Sequence, residues 1–569
     1  MDKRWADALW FLAWALASSL WCLTAAARLG PTFDEPLYVQ RGLEGWRTFS
    51  HQGLLSLGTM PLPIDVQTLP LYLWERATGE RLDASADLAS ILVYARAGTL
   101  LFWWLLLWYA RLTGRSLAGP WGGRLAVALL ACEPNLLAHA SLATTDIAVT
   151  ACLLALLYHF RSARDAGWVK RLGVPALWLG LAILAKASAL VYGPVCLVVV
   201  ELERLVRAGA LSSSPGTGLV DRALHAWRQT QPARRDLLRI GVGGLTIAFV
   251  YCGCDWQTQP SFVEWAQRLP PGAAASWMVW LAENLRIFSN CGEGLVRQIK
   301  HNMHGHGAYL LGAGHPRALW YYFPVLLTIK LSVPLLVAPL GVAVVRARAL
   351  VNWACLAAVV LLACSLTFRV QIGIRLVLPL VALGAVGVAA ALVTALRHNC
   401  RRWIRPLAVS ALACGLSWTV FADARLWPHG LCYVNELWGG PGRGYRLVSD
   451  SNYDWGQGLP ELAAWQRRHG QGPMDVWYFG SDPALKESGA LRNVRLHDLE
   501  VDSPDDVVAL TQGPYLAVST TMLYGQATNL SAHAEAAAFL RSCRPVARTT
   551  TYLIFDRRQL AEAARATGS

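Results

Sequence analysis

Eleven apolar stretches constrain this 569-residue chain more than any other feature. They run over about 5–27, 88–110, 121–140, 143–161, 172–188, 189–206, 237–254, 321–345, 351–368, 374–396 and 404–422. A helix rising 1.5 Å per residue needs about 20 apolar residues to cross a bilayer core of about 30 Å. Lipid offers no partner to a bare peptide group, so segments of this kind must be helices. The chain therefore reads as a polytopic α-helical membrane protein with about eleven transmembrane helices. The first stretch, from Met1-Asp2-Lys3-Arg4 to Ala25-Ala26-Ala27, also resembles a cleavable signal peptide. Its length and the spans that follow favour an uncleaved anchor.

The residues between the spans fix an orientation. The formal charge of +14 has to be judged by location, because Lys and Arg mark cytoplasmic loops. With the N-terminus inside, the inner loops collect Arg111, Arg115 and Arg124; then Arg161, Arg164, Lys170 and Arg171; then Arg204 to Arg239; then Arg346 and Arg348; and finally Arg397 to Arg405. The run Ser212-Ser213-Ser214-Pro215-Gly216 in one of these loops has linker composition. A cationic surplus placed this way excludes nucleic acid as the first partner. The outer side receives loops 28–87 and 255–320, the turns near 133–146 and 369–375, and everything beyond about 427. In a bacterial-type cell that side is the periplasm or exterior.

Beyond 427 the chain changes character. Short strand-like runs at 474–479, 514–518 and 551–555 alternate with helical stretches at 459–468 and 531–541. Residues 427–569 read as a small extracytoplasmic α/β or α+β soluble domain, and 1–426 as the membrane domain. The 13 cysteines show no metal-finger spacing; a Cys432–Cys543 disulfide is the pairing to test on an oxidising side.

Chemistry-bearing residues gather on the outer edge. Asp34 and Glu35 follow the first span within Phe33-Asp34-Glu35-Pro36, which also looks like a helix start. Asp146 opens a span, where the helix dipole favours a carboxylate. Lys186 lies near the outer end of a span; Lys330 lies about two turns into one, from which snorkelling brings its amine to the outer interface, with Arg375 placed alike; and Arg96 lies two turns into the second span as a partner for Glu35. Intramembrane charges are costly and are functional candidates by default. Carboxylates facing buried cations describe a base beside an anion site.

In order, these elements resemble the GT-C superfamily of polyprenyl-phosphate-sugar-dependent glycosyltransferases. Within it they look most like bacterial members of the protein O-mannosyltransferase and aminoarabinose-transferase group. The resemblance is carried by Phe33-Asp34-Glu35, the Pro134 to Asp146 segment, Gly180 to Lys186, Tyr321-Tyr322-Phe323-Pro324 to Lys330, Gly373-Ile374-Arg375-Leu376-Val377-Leu378-Pro379, and the run from Asn435 to Gln457. It implies a sugar donor on a polyprenyl phosphate and a single displacement with inversion. The acceptor is a glycan, lipid or protein hydroxyl. Asp34 is then the expected catalytic carboxylate with Glu35 beside it. Lys330, Arg375, Lys186 and Arg96 are expected at the donor phosphate. Asp146, His304, His306, Tyr321 and Tyr322 are expected to contact substrate.

This reading requires no cofactor. A divalent cation stays open as an alternative at His301, His304, His306 and His315. Asp450-x-Asn452-x-Asp454 with Glu461 resembles a calcium loop, but Trp455 stands where that loop needs glycine. The Gly-rich run at 439–444 lacks the Lys-Ser/Thr of a phosphate loop. A flippase of lipid-linked sugars, or a scaffold with an exterior binding domain, are the competing functions. Charge crowded at one outer edge without an internal repeat speaks against the transporter.

Overall fold

The structure is a computed structural model that describes all residues except 1–2, 210–224, 226, 255, 287–288, 399–403, 470–471, 495, 497–502, 527–533 and 569. The linker run at 212–216 lies outside the described residues. Each apolar stretch carries helix. Five helices are long and apolar enough to cross a membrane: Trp5–Ala26, Leu88–Ala131, Val333–Leu350, Ile374–Arg397 and Arg405–Leu426. The other apolar stretches form helices such as Asp146–Ser162, Val174–Ala185, Ala189–Arg207, Gln231–Cys252 and Trp353–Ser365. The protein is an integral membrane protein.

Two breaks interrupt the apolar helices, one expected from the hydropathy pattern and one not. Leu88–Ala131, at 44 residues, would be about twice a bilayer if straight. It is broken at Ala118 and Gly119, the latter with φ 73°, just before Pro120. The arms then fold back on each other. A side chain at Gly114 would meet the carbonyl oxygen of Gly122 at 2.5 Å, and one at Gly123 would meet that of Arg111 at 2.6 Å. The glycines thus let two arms touch backbone to backbone, as the separate spans 88–110 and 121–140 require. The second break corrects an expectation. The stretch 321–345 is two helices, Tyr322–Lys330 and Val333–Arg346, because Leu331 and Ser332 are extended and Pro334 opens the second helix. Lys330 therefore ends a short helix instead of lying inside a long span.

The Arg-rich end of the bundle is closed by ion pairs that the positive-inside pattern does not reveal. Asp7 meets Arg124 at 2.5 Å, Glu201 meets Arg164 and Arg204, and Asp236 meets Arg164 and Arg171. Low polarity around these acids makes each pair strong and each unpaired charge expensive.

The C-terminal region holds a mixed five-stranded sheet. With β1 (Ala308–Leu310) and β2 (Ala313–His315) forming a hairpin in the long loop, the sheet consists of β3 (Met474–Trp477), β4 (Leu491–Asn493), β5 (Tyr515–Ser519), β6 (Ala547–Arg548) and β7 (Tyr552–Asp556). Their order is β4-β3-β5-β7-β6; β3 runs parallel to β4 and β5, and β7 antiparallel to β5 and β6. The β3, β5 and β7 runs are buried on both faces, which explains their near-continuous apolar sequences. The Cys432–Cys543 bridge does not form: both thiols are free, and Cys432 donates to the Tyr453 carbonyl at 3.0 Å.

Candidate active site

The first span ends at Ala26, and the chain then needs a reason to stay put. Arg96 supplies it. Its five N–H donors are all used: two on Glu35, at 2.8 and 2.6 Å, and the others on the carbonyls of Ala26, Leu29 and Gly30. Glu35 in turn accepts from the backbone N–H groups of Thr32 and Ala143 and from the Thr32 hydroxyl. Burial pushes the Glu35 carboxyl up, but the Arg96 guanidinium and these donors hold it below its ordinary value. Glu35 and Arg96 form a saturated clamp with no free polar atom to offer a substrate.

The clamp aims Asp34 the other way. Asp34 occupies the N-cap position of Glu35–Thr48, yet its side chain makes no capping bond. Instead its Oδ2 accepts from Arg375 Nη1 at 3.0 Å, on the wall of a cavity of about 1140 Å³. Arg375 lies over the Trp455 ring, its guanidinium carbon 4.1 Å from the centroid, and its Nε is buried without a partner. Lys186, at the C-terminus of Val174–Ala185, reaches the same cavity and is held at 2.5 Å by Asp146 Oδ1. Asp146 is fully buried at the first position of its helix; its Oδ2 has no partner. Asp34, Arg375 and Lys186 are thus brought together, with Asp146 behind Lys186.

Asp450 and Trp455 complete the wall, and residue-by-residue reading missed both as site residues. Their sequence sign is the Asn435–Gln457 run of the family resemblance, within which the spacing from Asp450 to Asp454, with Glu461, reads instead as a calcium loop or a packed turn. Asp450 sits in the left-handed region at φ 57°. Burial pushes its carboxyl up, and Arg375 opposes that rise. The far wall comes from the long outer loop, chiefly Arg297, Lys300, His301 and His306. Arg297 already pairs with Glu293 at 2.8 Å.

Other expected site residues serve the frame. Lys330 is 1% exposed and donates its three N–H bonds to the carbonyls of Leu431, Tyr433 and Asn452, at 2.8, 2.6 and 2.7 Å. It does not line the cavity. Tyr322 is buried and accepts from Asn452 Nδ2 at 3.1 Å, while Asn452 Oδ1 accepts from the Ile374 N–H at 2.9 Å. These bonds hold the Asp450–Trp455 segment against Arg375. Tyr321 packs edge-on against Trp320, away from the cavity. His304 faces a neighbouring cavity of about 630 Å³, and His306 lines both.

Among the described residues, no three His, Cys, Asp or Glu side chains converge as a metal site. The residues of the calcium-like spacing disperse. Asp454 takes hydrogen bonds from Ser519, Thr520 and Thr521, and Glu461 from Thr550, so neither points where Asp450 does.

Comparison with known proteins bears on residues 70–212, which match the family model described as dolichyl-phosphate-mannose-protein mannosyltransferase. A search of curated protein sequences finds no match. Among solved structures, ArnT from Cupriavidus metallidurans bound to undecaprenyl phosphate aligns at 16% identity over 98% of each chain, with a TM-score of 0.44. The archaeal oligosaccharyltransferase AglB from Archaeoglobus fulgidus, in complex with an inhibitory peptide and a dolichol-phosphate, aligns at 12% identity over 91% of this chain and 70% of that one, with a TM-score of 0.44. The matched segment runs from the helix Leu62–Thr78 through the Arg96, Asp146 and Lys186 positions, so the resemblance of this chain to the polyprenyl-phosphate-sugar-dependent glycosyltransferases stands, carried by residues 70–212.

Proposed function

We propose that this chain is an integral membrane glycosyltransferase that moves a sugar from a polyprenyl phosphate to an acceptor hydroxyl on the extracytoplasmic side. The observation that carries the reading is the Asp34–Arg375 pair lining a large cavity that Lys186 also lines. The family match over residues 70–212 supports the donor class.

The chemistry follows from the groups present. The acceptor oxygen attacks the anomeric carbon as the bond from that carbon to the phosphate oxygen breaks, so the sugar inverts. Asp34 takes the hydroxyl proton. Arg375 and Lys186 neutralise the departing phosphate, and they do so best in a site shielded from water. Arg375 is engaged with Asp34; a donor phosphate takes over the guanidinium and frees the carboxylate to act as base. Arg375 can turn toward a phosphate without losing its stacking on Trp455.

In this reading, residues 1–426 are the membrane catalytic part and 427–569 an extracytoplasmic part that braces the site. No cofactor is needed, the sugar is a hexose or pentose, and the acceptor is a glycan, lipid or protein. The test is Asp34→Asn in membranes supplied with donor and acceptor. Transfer is lost while the chain still inserts and folds. Undiminished turnover in that variant overturns the assignment.

A further inference from the structure

The long outer loop supplies one wall of the cavity through the helix Ser289–His304, which presents Asn290, Glu293, Arg297, Lys300 and His301 to it. This helix has few ties to the bundle. Gln298 donates to the Gly58 carbonyl at 2.8 Å, and Gly294 packs against Leu55 and Met60. Of the segments before it, Ala273–Asn284 is largely exposed and Pro260–Gln267 is half-buried.

At the root of the loop two cysteines meet. Cys252 is the last residue of the helix Gln231–Cys252, and Cys291 lies in the first turn of Ser289–His304. Both are 3% exposed free thiols that lie against each other, close enough to interact directly. Asn290 also donates to the Cys252 carbonyl at 3.4 Å. Of the other buried thiols, Cys22, Cys132 and Cys432 give their S–H groups to backbone carbonyls. Cys254, two residues on and only partly buried, points its thiol at the Arg286 carbonyl at 3.4 Å.

We propose that Cys252 and Cys291 form a disulfide that pins the cavity-wall helix to the end of Gln231–Cys252; the inference rests on the extracytoplasmic sidedness proposed above. Thiols on that side of a membrane meet an oxidising environment. The oxidant is the disulfide of an envelope dithiol oxidase. One cysteine thiolate attacks that disulfide, forming a mixed disulfide and releasing one oxidant thiolate. The second cysteine, deprotonated, displaces the other oxidant sulfur and leaves the S–S bond within this chain. Two S–H bonds are lost here and two are gained on the oxidant, so protons and electrons balance. The disulfide then fixes the start of the wall bearing Arg297, Lys300 and His301; Arg369 holds its end, donating its N–H to Asn302 Oδ1 at 3.3 Å and its Nη1 to the Met303 carbonyl at 3.2 Å.

The test is peptide mapping of the full chain, quenched with N-ethylmaleimide before lysis and purified without reductant. Trypsin cuts after Arg239, Arg268, Arg286 and Arg297, so Cys252 and Cys254 fall in peptide 240–268 and Cys291 in 287–297. The expected result is a joined pair of these peptides that separates on reduction, persists in Cys254→Ser and is absent from Cys252→Ser. A joined pair that survives Cys252→Ser assigns the bond to Cys254 and overturns the proposal. Sidedness is read separately with Ser276→Cys, at an exposed position in the same loop, and a membrane-impermeant maleimide on intact cells. Labelling from outside together with alkylated Cys252 and Cys291 overturns the disulfide alone. Labelling only after permeabilisation overturns the sidedness and the disulfide with it.

Discussion

Asp34 and Glu35 are adjacent, and the helix start between them sends their side chains to different surroundings. Glu35 is fully buried on Arg96, whereas Asp34 keeps a quarter of its side chain exposed at the cavity. Removing one partner of a buried ion pair costs about 3–5 kcal/mol, so Glu35→Gln is expected to lose that much stability in detergent unfolding. Asp34→Asn touches a partly exposed pair worth at most about 1 kcal/mol and leaves stability nearly unchanged. Its cost falls on turnover instead, about 10²–10⁴-fold for a general base. The two variants together separate a frame residue from a reacting one. Glu35 also sets a pH dependence. Its folded carboxyl is held below the ordinary 4.5, so the clamp's contribution is complete above that value and is lost as pH falls through the lowered one. Melting temperature against pH is expected to show an acid limb in the parent that flattens in Glu35→Gln.

Lys330 shows how an element is read differently in sequence and in space. A lysine in an apolar run is a functional candidate by default, and hydropathy alone places it within the stretch 321–345. The helix break at Leu331-Ser332, for which Pro334 was the available sign, puts Lys330 at a helix end facing three carbonyls of the chain beyond 430. No local pattern encodes partners a hundred residues away. Lys330→Met is therefore expected to lower the yield of folded protein and its melting temperature. Each of the orphaned carbonyls costs about 1–3 kcal/mol, while the surviving enzyme keeps its donor KM. A stable variant with a greatly raised donor KM would put Lys330 back at the phosphate. Elsewhere local patterns served better. The β3, β5 and β7 runs were legible because buried strands are apolar throughout, whereas the three-residue β4 and two-residue β6 at the sheet edges carry too few residues to leave a pattern. Asp34, Lys186 and Arg375 were legible as a group because topology alone puts them on one side. Asp450 and Trp455 were hidden by a spacing that suits calcium, and only the fold shows that Asn452 and Asp454 are spent on other bonds.

At the scale of the whole molecule, the site is built from both halves of the chain. The segment leading to Asp34 is stitched to the C-terminal part: Gly30 N–H donates to the Gln457 carbonyl, Phe33 N–H to that of Trp455, and the Ser481 hydroxyl to the Phe33 carbonyl. Phe33 stacks on Phe479 with centroids 5.3 Å apart. Trp455 backs Arg375, and the Ser451 hydroxyl ties the same segment to the Ile372 carbonyl. A chain ending at residue 426 would keep Asp34, Lys186 and Arg375 but lose each of these braces. Arg375 would lose a stacking contact worth about 0.5–2 kcal/mol, and Lys330 its three carbonyls. A displacement of about 1 Å at a reacting group is enough to cost about 10²-fold in rate. Truncation after 426 is accordingly expected to leave a membrane-inserted chain with no measurable transfer. Expressing 427–569 alongside it should restore at most a fraction of the activity, since the covalent link that holds the two parts at high effective concentration is gone. Product formation by the truncated chain alone at the parental rate would mean that the helices complete the site without the C-terminal part, and that Trp455 and Asp450 are bystanders to the Asp34–Arg375 pair.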